Sequence, residues 1–409
     1  MLAPFKAIAL DPALRAAAAL LFLFGAFVCT IAPYQSLLAI QVFGLPNAAY
    51  AAVIVCASLV FVTASVGAGI LTDRHLSRRL VAMVSVGAYL TGTASVWLVS
   101  GPISFVLAHA LIMPLGSTIF AQCFALTRHA AATHPAATRP GIHATIRAIF
   151  ALPFLLVLPI WSIAFDRGAP LLSVYPVLFG VSLCMSVVIV FFWPPNFFWP
   201  PDAVAAKQNR APTLSFADAL REFTAPGLMV RVGLLGILSG AVGLYMALIG
   251  LVFTAAGRSE SEVALFVGLI AGAEIPFMLI LPLMQQRLSK PALIVAGIVL
   301  YSCHLAMLPG LAATRFVWAL ILPASLGGAA ILTLPIAYLQ DLMANRPGAG
   351  SSLLAFQRVI GDVSVAVAFT LGTALSGYGL AALIGATSAV AAGLALWRID
   401  GDRGQLHIP

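Results

Sequence analysis

Charge is what this sequence has least of: Asp, Glu, Lys and Arg make up only 8% of its 409 residues, against 62% hydrophobic. So few charges cannot cover a water-exposed surface, which excludes a soluble multidomain protein of this length. Acidic residues are the scarcer sign, 13 against 21 Lys and Arg. On a soluble chain that basic excess would point to nucleic acid, but no basic stripe with interleaved aromatics occurs, so nucleic-acid binding is not expected. Cysteine is scarce too. Cys29, Cys56, Cys123, Cys184 and Cys303 stand singly inside apolar runs, a spacing that argues against both a disulfide framework and a metal site. There is no phosphate loop or nucleophile arrangement, so neither an ATP-driven pump nor an enzyme is expected, and no cofactor is called for.

What the sequence does have is apolar runs long enough to cross a bilayer, which takes roughly 20 helical residues each. About twelve can be read, separated by short polar breaks. In the first half they run near Ala16 to Val42, Asn47 to Leu71, Leu80 to Val99, Ile103 to Leu126, Ile142 to Phe165 and Leu171 to Trp193. The first is too long for a signal-peptide core and has no small-residue cleavage site after it, so it is expected to stay as a span. From Pro194 to Gly227 the composition turns polar, with Pro194, Pro195, Pro200, Pro201, Lys207, Arg210 and Arg221, and reads as a linker with a short surface helix near Phe216 to Phe223. Six more runs follow, near Leu228 to Thr254, Glu262 to Met284, Ala292 to Leu311, Phe316 to Leu339, Ser351 to Ser376 and Leu380 to Trp397. The expected fold is all-α and integral to the membrane, with a six-helix half at 1–193, a linker at 194–227 and a second six-helix half at 228–409.

Basic residues gather in alternate breaks. Arg74, Arg78 and Arg79 follow the second span, Arg128 and Arg139 the fourth, Arg287 and Lys290 the eighth, and Arg346 the tenth. Only Arg167, Arg258 and Arg315 fall on the other face. Loops rich in Lys and Arg stay cytoplasmic, so both termini and the linker are expected inside the cell's inner membrane. An internal repeat supports two related halves. Asp73-Arg74-His75-Leu76-Ser77-Arg78 lies over Gln285-Gln286-Arg287-Leu288-Ser289-Lys290, and Arg139-Pro140-Gly141 over Arg346-Pro347-Gly348.

Gly69, Asp73, Arg74, Arg78 and Arg79 match the signature Gly-x-x-x-Asp-Arg/Lys-x-Gly-Arg/Lys-Arg/Lys between the second and third spans of the major facilitator superfamily, although Leu76 and Ser77 stand where its usual glycine is expected. The chain resembles that superfamily. Within it the sugar efflux transporters come closest, through Ala32-Pro33 with Ser36-Leu37, Gln122 with Phe124-Ala125-Leu126, Ile146-Arg147-Ala148, Glu274-Ile275-Pro276 and Gln340-Asp341-Leu342-Met343. The resemblance implies an alternating-access antiporter that exports sugars or sugar-like solutes in exchange for protons. It is expected to act as a monomer in the lipid bilayer. Two other readings stay open, efflux of drugs or other amphipathic solutes and a transport-inactive sensor or scaffold on the same fold.

An ionisable group inside a span needs a partner or a wet cavity. Arg147, Glu274, Arg358 and Asp362 fall inside the predicted spans. Arg147 lies about two turns from the inner end of the fifth span and Glu274 near the middle of the eighth; these spans face each other in folds resembling this one, so a central ion pair between them is expected. Arg358 and Asp362, four apart, share a helix face. Glu274, beside Pro276 where the helix could break, suits proton uptake or a sugar hydroxyl, with Asp362 as the next proton carrier. Tyr34, Gln35, Gln122 and Gln357 could bond solute hydroxyls without a fixed charge, or simply bond neighbouring helices. His109 and His304 stand alone in separate spans, which argues against metal ligation and suits packing or a weak hydrogen bond. For a cytoplasmic gate, Asp73 is placed to meet Arg128, and Arg287 or Lys290 to meet Asp341.

Overall fold

The computed structural model describes residues 3–74, 77–194, 226–342 and 347–401, leaving out the side chains of 69–71, 73, 74, 340, 342, 347–352 and 354. The predicted linker helix, Arg346 and the tail at Arg403 lie outside the described residues, as do the side chains of Asp73, Arg74 and Gln340. Twelve helices are long and apolar enough to cross a membrane. Spans 1 to 6 are Pro12–Ile31, Asn47–Arg74, Arg78–Leu98, Pro102–Ala132, Arg139–Asp166 and Leu171–Phe192. Spans 7 to 12 are Pro226–Ala255, Glu260–Met284, Lys290–Leu311, Arg315–Leu339, Ala355–Leu375 and Tyr378–Asp400. They form two six-helix halves.

Local chemistry explains the ends. Asp11 accepts from the backbone N–H groups of Ala13 and Leu14 at 2.8 and 3.2 Å, with Pro12 behind it, so span 1 begins with its first donors satisfied. Ser77 caps span 3, Ser289 caps span 9, and Ser259 with Glu262 forms a reciprocal capping box on span 8. On the face opposite the basic loops the turns are tight and glycine-made. Gly168 and Gly257 take φ of 85° and 78° just past spans 5 and 7, the left-handed step that closes a helix end.

Two boundaries differ from the sequence reading. Span 2 continues through Asp73 to Arg74, and span 3 starts at Arg78, so the charge cluster straddles two helix ends. The run Ala16 to Val42 is not one helix. It stops at Ile31, turns through Ala32, Pro33 and Tyr34, and resumes as Gln35–Leu37 and a π-helical turn Leu38–Val42. Proline supplies no N–H, so the chain turns at Pro33 with no loss of hydropathy to mark the place. A second π turn, Ala108–Ile112, interrupts span 4. Conversely, Pro276 does not break span 8, which is continuous from Glu260 to Met284.

The halves are joined near the opposite face. Tyr34 donates to the carbonyl of Glu260 (3.4 Å), Gln41 Nε2 donates to Thr254 Oγ1 (2.9 Å), and Ser162 and Ser261 share a hydrogen bond of 2.8 Å. Glycines let the backbones meet. A Cβ on Gly250 of span 7 would lie 2.4 Å from Leu37 Cδ1 and 2.9 Å from Pro33 O, and one on Gly272 of span 8 would lie 2.7 Å from Leu155 Cδ1. Tyr50 of span 2 meets Phe369 of span 11 edge-on. The broken end of span 1 is thus the plug of that face.

Candidate functional site

Arg147, Glu274, Gln357, Arg358 and Asp362 lie between the ends of their spans, but the expected Arg147–Glu274 ion pair is not formed among the described residues. Arg147 is exposed, and Glu274 turns away from it into its own half. The Glu274 carboxylate lies against Gly328 of span 10 so closely that a Cβ there would sit 2.1 Å from Oε1. It is also within electrostatic reach of the Tyr245 and Tyr301 hydroxyls. A carboxyl group among phenols and glycine, with no cation against it among the described residues, is held by its protein surroundings only when it carries a proton or meets a ligand.

Arg358 reaches Asp362 at 3.6 Å along its own helix and stacks over Phe61 of span 2, with 4.7 Å from Cζ to the ring centroid. It also acts electrostatically on Tyr89 of span 3. The pair therefore spans the interface between the halves. Gln357 is buried, its Nε2 donating to Ser239 Oγ at 2.7 Å while its Oε1 has no partner among the described residues.

The other sequence candidates are held elsewhere. Tyr34 is fully buried in the plug. Gln35 Nε2 donates to Nδ1 of His109 (2.9 Å), whose Nε2 meets the Tyr175 hydroxyl (2.9 Å), a chain joining spans 1, 4 and 6 through the π turn. His109 is stacked on Phe105 as well, so the packing expected of it is present, together with two hydrogen bonds. Gln122 is buried and accepts from Arg78 at 3.4 Å. On the basic face Lys290 takes Asp341, whereas Arg287 and Arg128 are exposed.

Two features were missed in the sequence. One is an aromatic wall on the first half: Phe24, Phe120 and Phe150 lie 5.2 to 5.9 Å apart, with Phe124 on Phe120, Phe154 on Phe150 and Tyr89 beside Phe24. Each ring sits in an apolar run where phenylalanine is unremarked, so only the helix rotation brings them together. The other is Arg231, a further charge inside span 7. It grips Asp400 at the end of span 12 through Nε and Nη2 at 2.7 and 2.6 Å, and the Tyr338 hydroxyl donates to the same carboxylate. Opposite charges at the basic-face ends of the first and last spans of one half were the available signal.

No family profile matches the chain. A curated protein of Deinococcus radiodurans named "Putative sugar efflux transporter" is 26% identical over 379 residues, which cover 89% of this chain and 92% of that protein. Among solved structures, the nucleoside transporter NupG superposes with a TM-score of 0.73 at 14% identity, covering 95% of this chain and 99% of its own. A D-xylose-proton symporter gives 0.70 at 15%, covering 94% and 96%. A POT family transporter in complex with 5-aminolevulinic acid gives 0.70 at 12%, covering 96% and 97%. These relatives are transporters, not enzymes. The chain has the twelve-helix fold of the major facilitator transporters, and over most of its length it resembles their sugar efflux branch.

Proposed function

We propose that this chain is a proton-coupled exporter of sugars or sugar-like solutes, working as a monomer by alternating access between its two halves. The observation that carries the reading is the contrast between the two halves. The first half offers the Phe24, Phe120 and Phe150 rings, and the second offers the Glu274 carboxyl, the Gln357 amide and the Arg358–Asp362 pair. A pyranose has an apolar face of C–H groups for the rings and a rim of hydroxyls for the polar groups. Glu274 is the natural proton carrier, because losing or gaining a proton changes its charge with no ion pair to break among the described residues. Asp362, held by Arg358, is the alternative carrier.

The test is transport by the full chain in proteoliposomes under an imposed pH gradient, with D-xylose, glucose, lactose and a nucleoside as probes. Wild-type protein is expected to concentrate one of the sugars. Glu274→Gln keeps the shape and hydrogen-bonding groups but cannot titrate, so it should lose uphill accumulation and keep downhill exchange. Accumulation surviving in this variant would transfer the proton to Asp362, and accumulation of the nucleoside alone would replace the solute class.

The alternate basic loops support an orientation with the termini and the loop around Ala136 on the cytoplasmic side of an inner membrane. Ala136 and Arg167 are exposed at opposite ends of the bundle. In a background lacking native cysteines, Ala136→Cys should react with an impermeant thiol reagent only after the cell is opened, and Arg167→Cys in intact cells. The reverse pattern would invert the proposed topology.

A further inference from the structure

Behind Glu274, inside the second half, lies a group of polar atoms that the solute interface does not use. His304 of span 9 is fully buried, and neither ring nitrogen makes a well-formed hydrogen bond. The Tyr245 hydroxyl of span 7, 1% exposed, is likewise unpartnered among the described residues. The His304 ring lies 5.0 Å from the Tyr245 ring and 5.6 Å from the Tyr301 ring, and the two tyrosine rings meet edge-on at 6.2 Å. Tyr301 and Glu274 lie against adjacent glycines of span 10: a Cβ on Gly327 would sit 2.8 Å from Tyr301 Cβ, and one on Gly328 would sit 2.1 Å from Glu274 Oε1. Buried donors and acceptors are almost always satisfied, and an imidazole with one weak backbone contact, at Leu320, and no other partner among the described residues costs a few kcal/mol in an apolar bundle unless water or a proton-bearing partner uses its other nitrogen. Packing alone would be served better by leucine or phenylalanine.

Depth gives the group a direction. Glu274 sits fourteen residues from the opposite-face end of span 8, about 21 Å at the helical rise, whereas His304 sits seven residues from that end of span 9, about 10 Å. The tyrosines bridge the roughly 10 Å between these levels. A phenol hydroxyl both donates and accepts, so it can pass a proton between waters on its two sides.

We propose that Glu274, Tyr245, Tyr301 and His304 form a water-bridged proton path through the interior of the second half, with His304 as its station toward the opposite face. It rests on the reading of Glu274 as the proton carrier, and it separates the proton's route from the solute's, which runs between the halves. In the transfer the Glu274 carboxyl gives its proton to the chain of hydroxyls and waters while the far end of that chain gives one to a His304 nitrogen. A carboxylic acid and an imidazole become a carboxylate and an imidazolium, and the net charge is unchanged. The reverse transfer reloads Glu274 from the opposite face, as an exporter driven by inward proton flow needs.

The groups that face His304 are few. Span 7 offers Tyr245, its own helix Tyr301, and span 8 the Phe266 ring and, beyond the tyrosines, Glu274. Span 10 brings the Leu320 backbone carbonyl to the imidazole as a weak hydrogen-bond acceptor, a polar group that does not titrate. Trp318, on the same span, packs on Phe266, and span 12 touches the neighbouring Leu305 at Gly385. The nearest charges toward the opposite face, Arg258 and Glu262, are engaged with each other. Among the described residues only Glu274 can exchange a proton with the histidine through this set.

Infrared titration of the full chain in neutral phospholipid vesicles tests the path. The carboxyl band of Glu274 is the one lost in Glu274→Gln. His304→Gln and Tyr245→Phe should move its midpoint by about tenfold in proton concentration, and His304→Gln should lower proton-driven accumulation by a similar factor. A band that titrates with an unmoved midpoint in both variants overturns the path and leaves Glu274 as carrier. No band lost in Glu274→Gln overturns the carrier itself. Should a variant fail to insert, nitrogen-15 spectra of histidine-labelled wild-type protein decide: His304 changing protonation together with Glu274 supports the path, and an imidazole neutral across the whole titration of the carboxyl refutes it.

Discussion

Asp400→Ala should cost about 3–5 kcal/mol of stability, the usual penalty for removing one member of a buried ion pair. The Asp400 side chain has no solvent exposure and Arg231 only 15%. Three donors converge on this carboxylate, two from Arg231 and one from the Tyr338 hydroxyl. Deleting it leaves the phenol and two guanidinium nitrogens without the acceptor they share, with only Nη1 still donating, to the Gly227 carbonyl. The pair also ties span 7 to span 12, the two ends of the second half's chain, with Tyr338 adding span 10. The expected readout is a large fall in the chemical-unfolding midpoint in mixed micelles. Because breaking a pair costs more than replacing it, Arg231→Met with Asp400→Leu should be milder than Asp400→Ala alone. A single-variant loss below about 1 kcal/mol would make the contact equivalent to a solvated surface pair.

The fold was legible because span length and loop charge are one-dimensional properties. A run of about 20 apolar residues is a span wherever its helix points, and the twelve runs became twelve helices. What failed was rotation about the helix axis. The pairing of Arg147 with Glu274 rests on spans 5 and 8 facing each other, yet on span 8 it is Gly268 and Gly272 that face span 5. Glu274 is two residues further on, about 200° around the helix, and faces Gly328 instead. In a soluble helix the apolar stripe would have fixed that rotation, but here lipid-facing and core-facing residues are equally apolar, so the pattern is silent.

The same silence hid the aromatic wall and the Gln35–His109–Tyr175 chain, whose members lie in three separate runs. Arg231 escaped for a different reason. It stands six positions into its helix, close enough to the polar stretch before it to read as a loop charge. Only the position of span 12 reveals that its partner is buried. Pro33 illustrates the reverse case. The residue was visible and known to interrupt helices, but the uninterrupted hydropathy on both sides concealed that the second piece turns to meet span 7.

Gly250→Leu should open the opposite face, since no side chain fits between span 7 and the broken end of span 1. Even a Cβ would press to 2.4 Å from Leu37 Cδ1 and 2.9 Å from the Pro33 carbonyl, and that backbone cannot rotate away as a flexible side chain could. Glycine has no intrinsic advantage in a helix interior, where leucine is the better former, so any penalty belongs to the closed seal and not to span 7 itself. Overpacking of this kind costs about 1–3 kcal/mol. Incurred only in the closed state, it shifts the ratio of closed to open molecules by about 5–150-fold. Ser261, buried at the seal against Ser162, serves as reporter. In a background lacking the native cysteines, Ser261→Cys should react with an impermeant thiol reagent many times faster when Gly250→Leu is present. Gly233 provides the control: on the same helix, a Cβ added there would meet nothing within 4 Å, and Gly233→Leu should leave the rate unchanged. Equal rates in both variants would mean that the plug yields without parting the halves, and the seal would then have to reside in the span 5–span 8 contact at Gly272 and Leu155.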